Sequence, residues 1–89
     1  PLAAGRLRVQ APGVGKIERM AASAALRGSG AGRAVLAALI AAARARGDHE
    51  VILHAQTSAA GFYVRHGFQT RGDIFQEAGI EHVAMARAL

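Results

Sequence analysis

The sequence predicts an α/β fold in which a mixed sheet and two helices follow one another in the order β-β-α-β-α-β-β. Three observations predict it. A glycine-rich loop separates two short N-terminal strands from an amphipathic helix, a continuous apolar strand follows that helix, and two alternating segments close the chain. A strand–helix–strand unit of this kind implies two parallel strands joined by a right-handed crossover.

The first two strands are predicted to form a hairpin. Residues Ala3–Gln10 alternate imperfectly, with apolar side chains on one side and basic ones on the other. A Pro-Gly turn follows, because proline fixes φ and glycine accepts positive φ. Strict alternation along the second strand, Lys16–Ala22, would place Glu18 and Met20 on the same face.

Two segments have helical patterns. Over Ala31–Arg46 the apolar residues recur at helical spacing and form one stripe, and a glycine follows the last turn, as is typical just past a helix end. A second helix is predicted over Ala59–His66, again stopped by a glycine. Thr57 or Ser58 precedes it and can cap its first turn.

Three further segments are predicted as strands. Glu50–Ala55 contains a continuous apolar run that is typical of a strand buried on both faces. Phe68–Phe75 and Ile80–Leu89 alternate loosely around a short turn containing glycine, which predicts a terminal hairpin.

Composition narrows the class of protein. The chain has 89 residues, 22 of them alanine, so we expect one domain over residues 1–89 with a thin core. No cysteine is present, which excludes disulfides and thiolate metal sites. The longest apolar stretch is about half a membrane span, and no signal peptide is recognisable, so a cytoplasmic protein without membrane contact is expected. A net charge of +5 favours an anionic partner. The basic residues do not form the clustered run that is typical of nucleic-acid binding.

The glycine-rich loop from Arg27 to Gly32 is the segment most informative about chemistry. It lies directly between a strand and an amphipathic helix, and its glycines let the backbone come close to a ligand. The first N–H groups of the helix have no internal partner, and with the positive end of the helix dipole they form an anion site. Arg27 and Arg33 flank this site and could pair with further phosphate charge.

Two common phosphate motifs do not fit this loop. The P-loop is absent because no Lys-Ser/Thr pair follows Gly32. The dinucleotide pattern begins correctly at Gly28 and Gly30, but Arg33 occupies the place of the third glycine. No acidic residue ends the next strand, as dinucleotide binding would require.

What fits is Arg-x-x-Gly-x-Gly at Arg27, Gly30 and Gly32, and here the chain resembles the GNAT superfamily of acyl-CoA-dependent N-acetyltransferases. Upstream, Lys16–Ala22 resembles that family's fourth strand. Downstream, Phe62–Phe68 resembles its F-Y-x-x-x-G-F signature. Leu53–Gln56 and Gly79–Met85 resemble the ElaA-like branch in particular. The resemblance begins at the family's third strand, so the sequence is expected to be an N-terminally truncated GNAT domain.

The resemblance implies a function and a site. The implied reaction is transfer of an acetyl group from acetyl-CoA to an amine of an unidentified acceptor, with no metal. Backbone groups of β-strand residues would hold the pantetheine arm and those of the loop would hold the diphosphate. The implied cofactor-binding residues are Met20, Ala21, Ala22, Arg27, Gly28, Ser29, Gly30, Ala31, Gly32 and Arg33.

Catalytic roles are also implied by the resemblance. Tyr63 matches the family's usual general acid, which protonates the leaving thiolate, and a phenol and a thiol have pKa values close enough to exchange a proton. Glu18 is the candidate base, with His82 and His54 as other candidates. Each of these has a plainer interpretation: Tyr63 as a core aromatic, Glu18 as a solvated strand residue, and the histidines as ordinary polar residues.

A second class of function stays open. The elements absent from the sequence supply much of the acceptor wall in this family, which favours a catalytically inactive remnant that binds acyl-CoA or dimerises. Without a neighbouring strand, Ala3–Gln10 would leave an open sheet edge with unpaired backbone groups. A homodimer, with exchange of a strand or of the C-terminal hairpin, is therefore expected.

Overall fold

A computed structural model of the chain describes residues 3–22 and 30–89, and in this part the predicted fold class and order of elements are confirmed. A single 3₁₀ turn, Thr57–Ala59, precedes the second helix. The strands and helices are β1 (Ala3–Ala11), β2 (Val14–Ala22), α1 (Ala31–Ala45), β3 (Glu50–Gln56), α2 (Ala60–Arg65), β4 (Gln69–Glu77) and β5 (Ile80–Ala88). Their ends differ from the predicted ends by one or two residues.

The five strands form one mixed sheet in the order β1-β2-β3-β5-β4. β2 and β3 run parallel and are joined through α1, as the strand–helix–strand pattern predicted. All other neighbours are antiparallel, including both predicted hairpins. β5 lies between β3 and β4, a position that the sequence pattern did not specify because it depends on pairing between distant segments.

The core lies on the face of the sheet that α1 and α2 cover. The apolar stripe of α1 packs here, and Phe68, Leu36, Met85 and Val51 are the largest side chains buried completely. Gly5 allows the close approach of α1 to β1, because a Cβ at this position would lie 2.7 Å from Leu39 Cδ1. Neither helix of the described ranges is long and apolar enough to cross a membrane.

Two glycine turns fix the end of the sheet opposite the glycine-rich loop. Gly13 ends the β1–β2 turn with φ of 77°, and its carbonyl accepts a hydrogen bond from the His49 N–H at 2.8 Å. Gly47 follows α1 with φ of 88°, as predicted for the residue just past a helix end. These contacts hold the start of β3 beside the start of β2.

The predicted cap of the second helix is wrong. Ala59 occupies the N-cap position of α2, and no side chain caps that helix. Thr57 lies inside the preceding 3₁₀ turn, where its hydroxyl donates to Glu81 Oε1 on β5 at 3.3 Å. Because Thr57 and Ser58 belong to the 3₁₀ turn, they do not cap α2. The hydrogen bond from Thr57 connects the turn to β5 instead.

A β-bulge in β2 also overturns the predicted alternation of that strand. Arg6 pairs with Glu18 and Ala4 pairs with Ala21, so β2 carries one more residue than β1 across this interval. An extra residue reverses the faces beyond it and bends the strand. Met20 accordingly packs against the core beside Gly5, whereas Glu18 lies on the opposite face with the basic residues of β1.

Candidate active site

β2 and β3 separate halfway along their length. Their pairing runs only from Val14 opposite Glu50 to Ile17 opposite Leu53. Beyond this point β2 continues for five more residues and β3 for three, and no pair joins them. The bulge in β2 lies within this unpaired stretch and bends the strand locally. The result is a gap in the middle of the sheet.

A cavity of about 970 Å³ occupies this gap and is lined from both faces of the sheet. Its size is at the upper end of the range for pockets that hold a cofactor. From the face covered by the helices come Gly32, Arg33, Gly61, Phe62, Tyr63 and Arg65. From the opposite face come Arg6, Arg8, Lys16, Glu18, His54, Glu77 and His82. Two reactants can therefore meet in it from opposite sides.

The start of α1 opens into the cavity. Gly30 is the N-cap with φ of 82°, and no side chain caps the helix. The first intrahelical bond runs from the Ala34 N–H to the Gly30 carbonyl, so the three preceding helical amides have no intrahelical acceptor. Gly32 is buried and lines the cavity, and the Arg33 guanidinium lies beside Gly30. Free amides and a cation at one place suit an anion.

The predicted cofactor residues are only partly within the structure. Arg27, Gly28 and Ser29 lie outside the described residues. Gly30, Ala31, Gly32 and Arg33 form the start of α1, and the helix that the hypothesis required does follow the loop. Met20, Ala21 and Ala22 lie on the part of β2 that has no pairing with β3. In that part every second residue directs its N–H and C=O toward the gap.

Tyr63 lies on α2 with its ring in the core and lines the cavity. It is 7% exposed and contacts Phe62 and Phe68 edge-on, with ring centroids 5.1 Å and 5.8 Å away. Burial raises the pKa of Tyr63 above its ordinary value of 10.0, because a phenolate is poorly solvated there. The phenol consequently keeps its proton at neutral pH, as a general acid must.

Glu18 lies across the gap, on the face opposite the helices. Its carboxylate pairs with Arg8 at 3.4 Å and with Lys16 at 3.9 Å. The structure brings Glu18 and Tyr63 to the same cavity, although on opposite sides of the sheet. The acid and base candidates are thus placed where a reaction between two bound molecules could use both.

A polar cluster on the open face was only partly anticipated from the sequence. His54 Nδ1 donates to Glu77 Oε1 at 3.0 Å, and His82 Nε2 lies 3.6 Å from Glu77 Oε2. The cluster joins β3, β4 and β5. The sequence offers His54 and His82 only as separate candidate bases and does not point to Glu77. Within the described ranges no group of three metal-ligating side chains is close enough to hold a metal ion.

Several basic residues of the cavity were also missed. Arg6 and Arg8 alternate along β1, Lys16 faces them from β2, and Arg65 ends α2. For the residues on β1 and β2, the sequence pattern that could have indicated the cavity is the polar side of the predicted β1–β2 hairpin. An ordinary solvated surface explains that pattern equally well. Only the gap between β2 and β3 shows that this polar face is part of a cavity.

Comparison with known proteins gives a family for this architecture. The family model described as "Acetyltransferase (GNAT) domain" matches residues 3–89. The N-acetyltransferase YjcF of Bacillus subtilis (strain 168), described as uncharacterized, is 39% identical over 88 residues, covering 98% of this chain and 62% of YjcF.

Solved structures agree. An acyl-CoA N-acyltransferase from Pseudomonas aeruginosa is 37% identical, with a TM-score of 0.80 over 98% of this chain and 60% of the other. ElaA from Escherichia coli is 28% identical, with a TM-score of 0.83 over 97% of this chain and 60% of the other.

The chain thus spans about three fifths of the length of these relatives. The matched part contains the separated strands, the helix start and the tyrosine of the cavity. On the family match and the shared fold, the chain belongs to the GNAT acetyltransferase family.

Proposed function

We propose that this protein is an N-acetyltransferase that transfers an acetyl group from acetyl-CoA to an amine of an acceptor. The observation that carries the proposal is the gap between β2 and β3, which opens to both faces of the sheet and receives the start of α1. A long anionic cofactor can enter from the helix face, while an acceptor approaches from the other face.

The cofactor's diphosphate would bind at the start of α1. The unpaired amides of Ala31, Gly32 and Arg33 provide donors there, with the Arg33 guanidinium adjacent. In the proposal Arg27, Gly28 and Ser29 complete the loop. The pantetheine arm would lie along the unpaired stretch of β2 and hydrogen-bond the backbone of Met20–Ala22, because that edge has no strand beside it.

Tyr63 is the proposed general acid. The amine attacks the thioester carbonyl and forms a C–N bond, and the tetrahedral intermediate then breaks its C–S bond. Tyr63 lines the cavity and, in the proposal, donates its proton to the leaving thiolate. Glu18 faces the acceptor side of the same cavity and is a candidate to receive the proton of the amine.

Calorimetry with acetyl-CoA, followed by a free-thiol assay over a panel of amines, tests the proposal. Binding together with thiol release that depends on an amine is the expected result. Binding without release from any amine would favour the inactive remnant, and absence of binding would contradict both the transferase and a remnant that binds acyl-CoA. The panel should contain alkylamines, which are protonated at neutral pH, and arylamines, which are not.

We also propose that the protein forms a homodimer. β1 has a strand on one side only within the described sheet, and Val9 on it is 63% exposed. The other edge strand, β4, carries Ile74 at 59% exposure. Edges of this kind invite pairing with another chain. Sedimentation velocity should give a dimer, and a well-folded monomer at micromolar concentration would contradict the proposal.

A further inference from the structure

His82 has a fixed orientation at the floor of the acceptor side of the cavity. It is 8% exposed, and its Nδ1 lies 2.8 Å from the Ile80 carbonyl oxygen. A carbonyl oxygen can only accept, so Nδ1 carries the hydrogen and donates it. In the neutral ring the other nitrogen, Nε2, therefore has a free lone pair that can take up a proton.

A carboxylate faces that lone pair. Glu77 Oε2 lies 3.6 Å from His82 Nε2, while Glu77 Oε1 accepts a hydrogen bond from His54 Nδ1 at 3.0 Å. The hydrogen bond from His54 lowers the pKa of Glu77 below its ordinary value of 4.5 and keeps it ionised. The Phe75 ring stacks on His82 and limits its rotation.

We propose that His82 Nε2 is the base that receives the proton of the acceptor's ammonium group, and that Glu77 is a positioning residue for it. The inference rests on the proposed function, of which it names the second proton-transfer group. Glu18 lies on the same side of the sheet, but its carboxylate is engaged by Arg8 and Lys16. His82 lines the same cavity, and in the tautomer set by the Ile80 carbonyl its Nε2 accepts no hydrogen bond from the described residues.

The proton transfers balance as follows. His82 Nε2 takes one proton from the ammonium, whose nitrogen lone pair then attacks the thioester carbonyl. The intermediate expels the thiolate, which takes the proton of Tyr63. The resulting phenolate then recovers a proton from the nitrogen of the new amide, which still carries the two hydrogens of the attacking amine. His82 afterwards releases its proton to water. The products are an N-acetylated acceptor, a free thiol and one proton, and no other reactant is needed.

Titratable and charged groups face His82 from three neighbouring strands. Glu77 faces it from β4, His54 from β3, and Lys16 and Glu18 from β2 across the cavity. Glu81 lies next to it in the chain but is hydrogen-bonded to Thr57.

Kinetics of His82→Gln and Glu77→Gln test the inference, with 2-phenylethylamine as a protonated acceptor and aniline as a neutral one. We expect His82→Gln to lower kcat/KM for 2-phenylethylamine by roughly 10²- to 10⁴-fold, the usual range for a lost acid or base. The loss for aniline should be at least tenfold smaller, and the acidic limb of the pH profile should disappear. Affinity for acetyl-CoA should stay within about twofold.

Two controls make the result specific. His49→Gln changes an exposed histidine away from the cavity and should leave every parameter unchanged. Glu77→Gln should lower kcat more than it raises KM, because His82 loses the carboxylate that positions it. A merely structural role would lower all rates equally and leave the pH profile in place.

Nuclear magnetic resonance of the imidazole nitrogens tests the inference without any acceptor. In the neutral ring the hydrogen is expected on Nδ1, and a neutral ring with its hydrogen on Nε2 would overturn the inference. So would kcat/KM of His82→Gln within threefold of the wild type for 2-phenylethylamine. A wild-type protein that binds no acetyl-CoA contradicts the proposed function instead, since the tautomer can still be measured.

Discussion

The two ends of the β2–β3 boundary are built from the same pair of strands and serve different purposes. At one end, four residues of each strand pair in parallel and their buried side chains join the core. At the other end, the strands separate, β2 carries a bulge, and polar side chains line a cavity. If β2 and β3 were paired along their whole length, no room would remain for a ligand between them. The cavity exists because their pairing stops halfway.

Leu53→Ala tests the structural end and should have the largest effect. Leu53 is 2% exposed and lies opposite Ile17, the last paired residue. A buried leucine-to-alanine change costs about 2–5 kcal/mol in the free energy of unfolding, a large share for a domain of this size. Urea denaturation measures it. His54→Ala, one residue further on, is the matched control, and an equal loss there would erase the contrast between the two ends.

Tyr63→Phe sharpens the account of the open end. The change keeps the ring in the core and removes the hydroxyl, so the fold and acetyl-CoA affinity should be nearly unchanged. Turnover should fall by roughly 10²- to 10⁴-fold if the hydroxyl is the acid. Steady-state kinetics with calorimetry measure both quantities, and an unaltered kcat would remove Tyr63 from the mechanism.

Gly30→Asp tests the helix start and is expected to weaken acetyl-CoA binding by about 100-fold or more, because like charges in a binding site cost several kcal/mol. Gly30→Asn is the control, since asparagine tolerates positive φ as aspartate does and has the shape of aspartate without its charge. Calorimetry on both variants gives the comparison. Equal affinities for the two variants would mean that no anion binds at this place.

Glu50→Gln probes the paired end from the surface and should have the smallest effect. Glu50 accepts two hydrogen bonds from Arg71, and the nearer pair of atoms lies 2.8 Å apart. This contact lowers the pKa of Glu50 below its ordinary 4.5, so it stabilises the fold above that pH and the contribution is lost as pH falls through the lowered pKa.

Because the Arg71 side chain is largely exposed, solvent screens the pair and its contribution to stability at pH 7 is small. Urea denaturation of wild type and Glu50→Gln should differ at pH 7 and converge as the pH falls below the lowered pKa of Glu50. A difference that grows on acidification would show that another group carries the effect, since the sign would then be opposite.

The elements that could be predicted are those specified by neighbours in sequence. The stripe of α1 and the turn glycines at Gly13 and Gly47 depend on local periodicity and backbone conformation, and the structure places them within a residue or two of expectation. The cap at Thr57 failed because an additional 3₁₀ turn, tied to β5, replaced the simple helix start.

The residues of the site could be predicted in kind but not in arrangement. Tyr63 and the loop were identified through a family resemblance, whereas the pairing of Glu77 with His54 and His82 was not foreseen. Glu77 and His82 lie on the two strands of one hairpin, whereas His54 is distant in the chain and joins them only because β5 pairs with β3. Their shared face follows from strand register, which a sequence pattern with weak alternation does not fix.

By itself, the sequence determined the order of strands and helices, the parallel crossover through α1, and the glycines at the start of that helix. Only the tertiary structure decided where β2 and β3 separate, that Met20 and Glu18 lie on opposite faces, and which ring nitrogen of His82 carries the hydrogen. The reason is physical: periodicity acts over a few neighbouring residues, whereas bulges, strand order and hydrogen-bonded tautomers are set by partners that folding alone brings together.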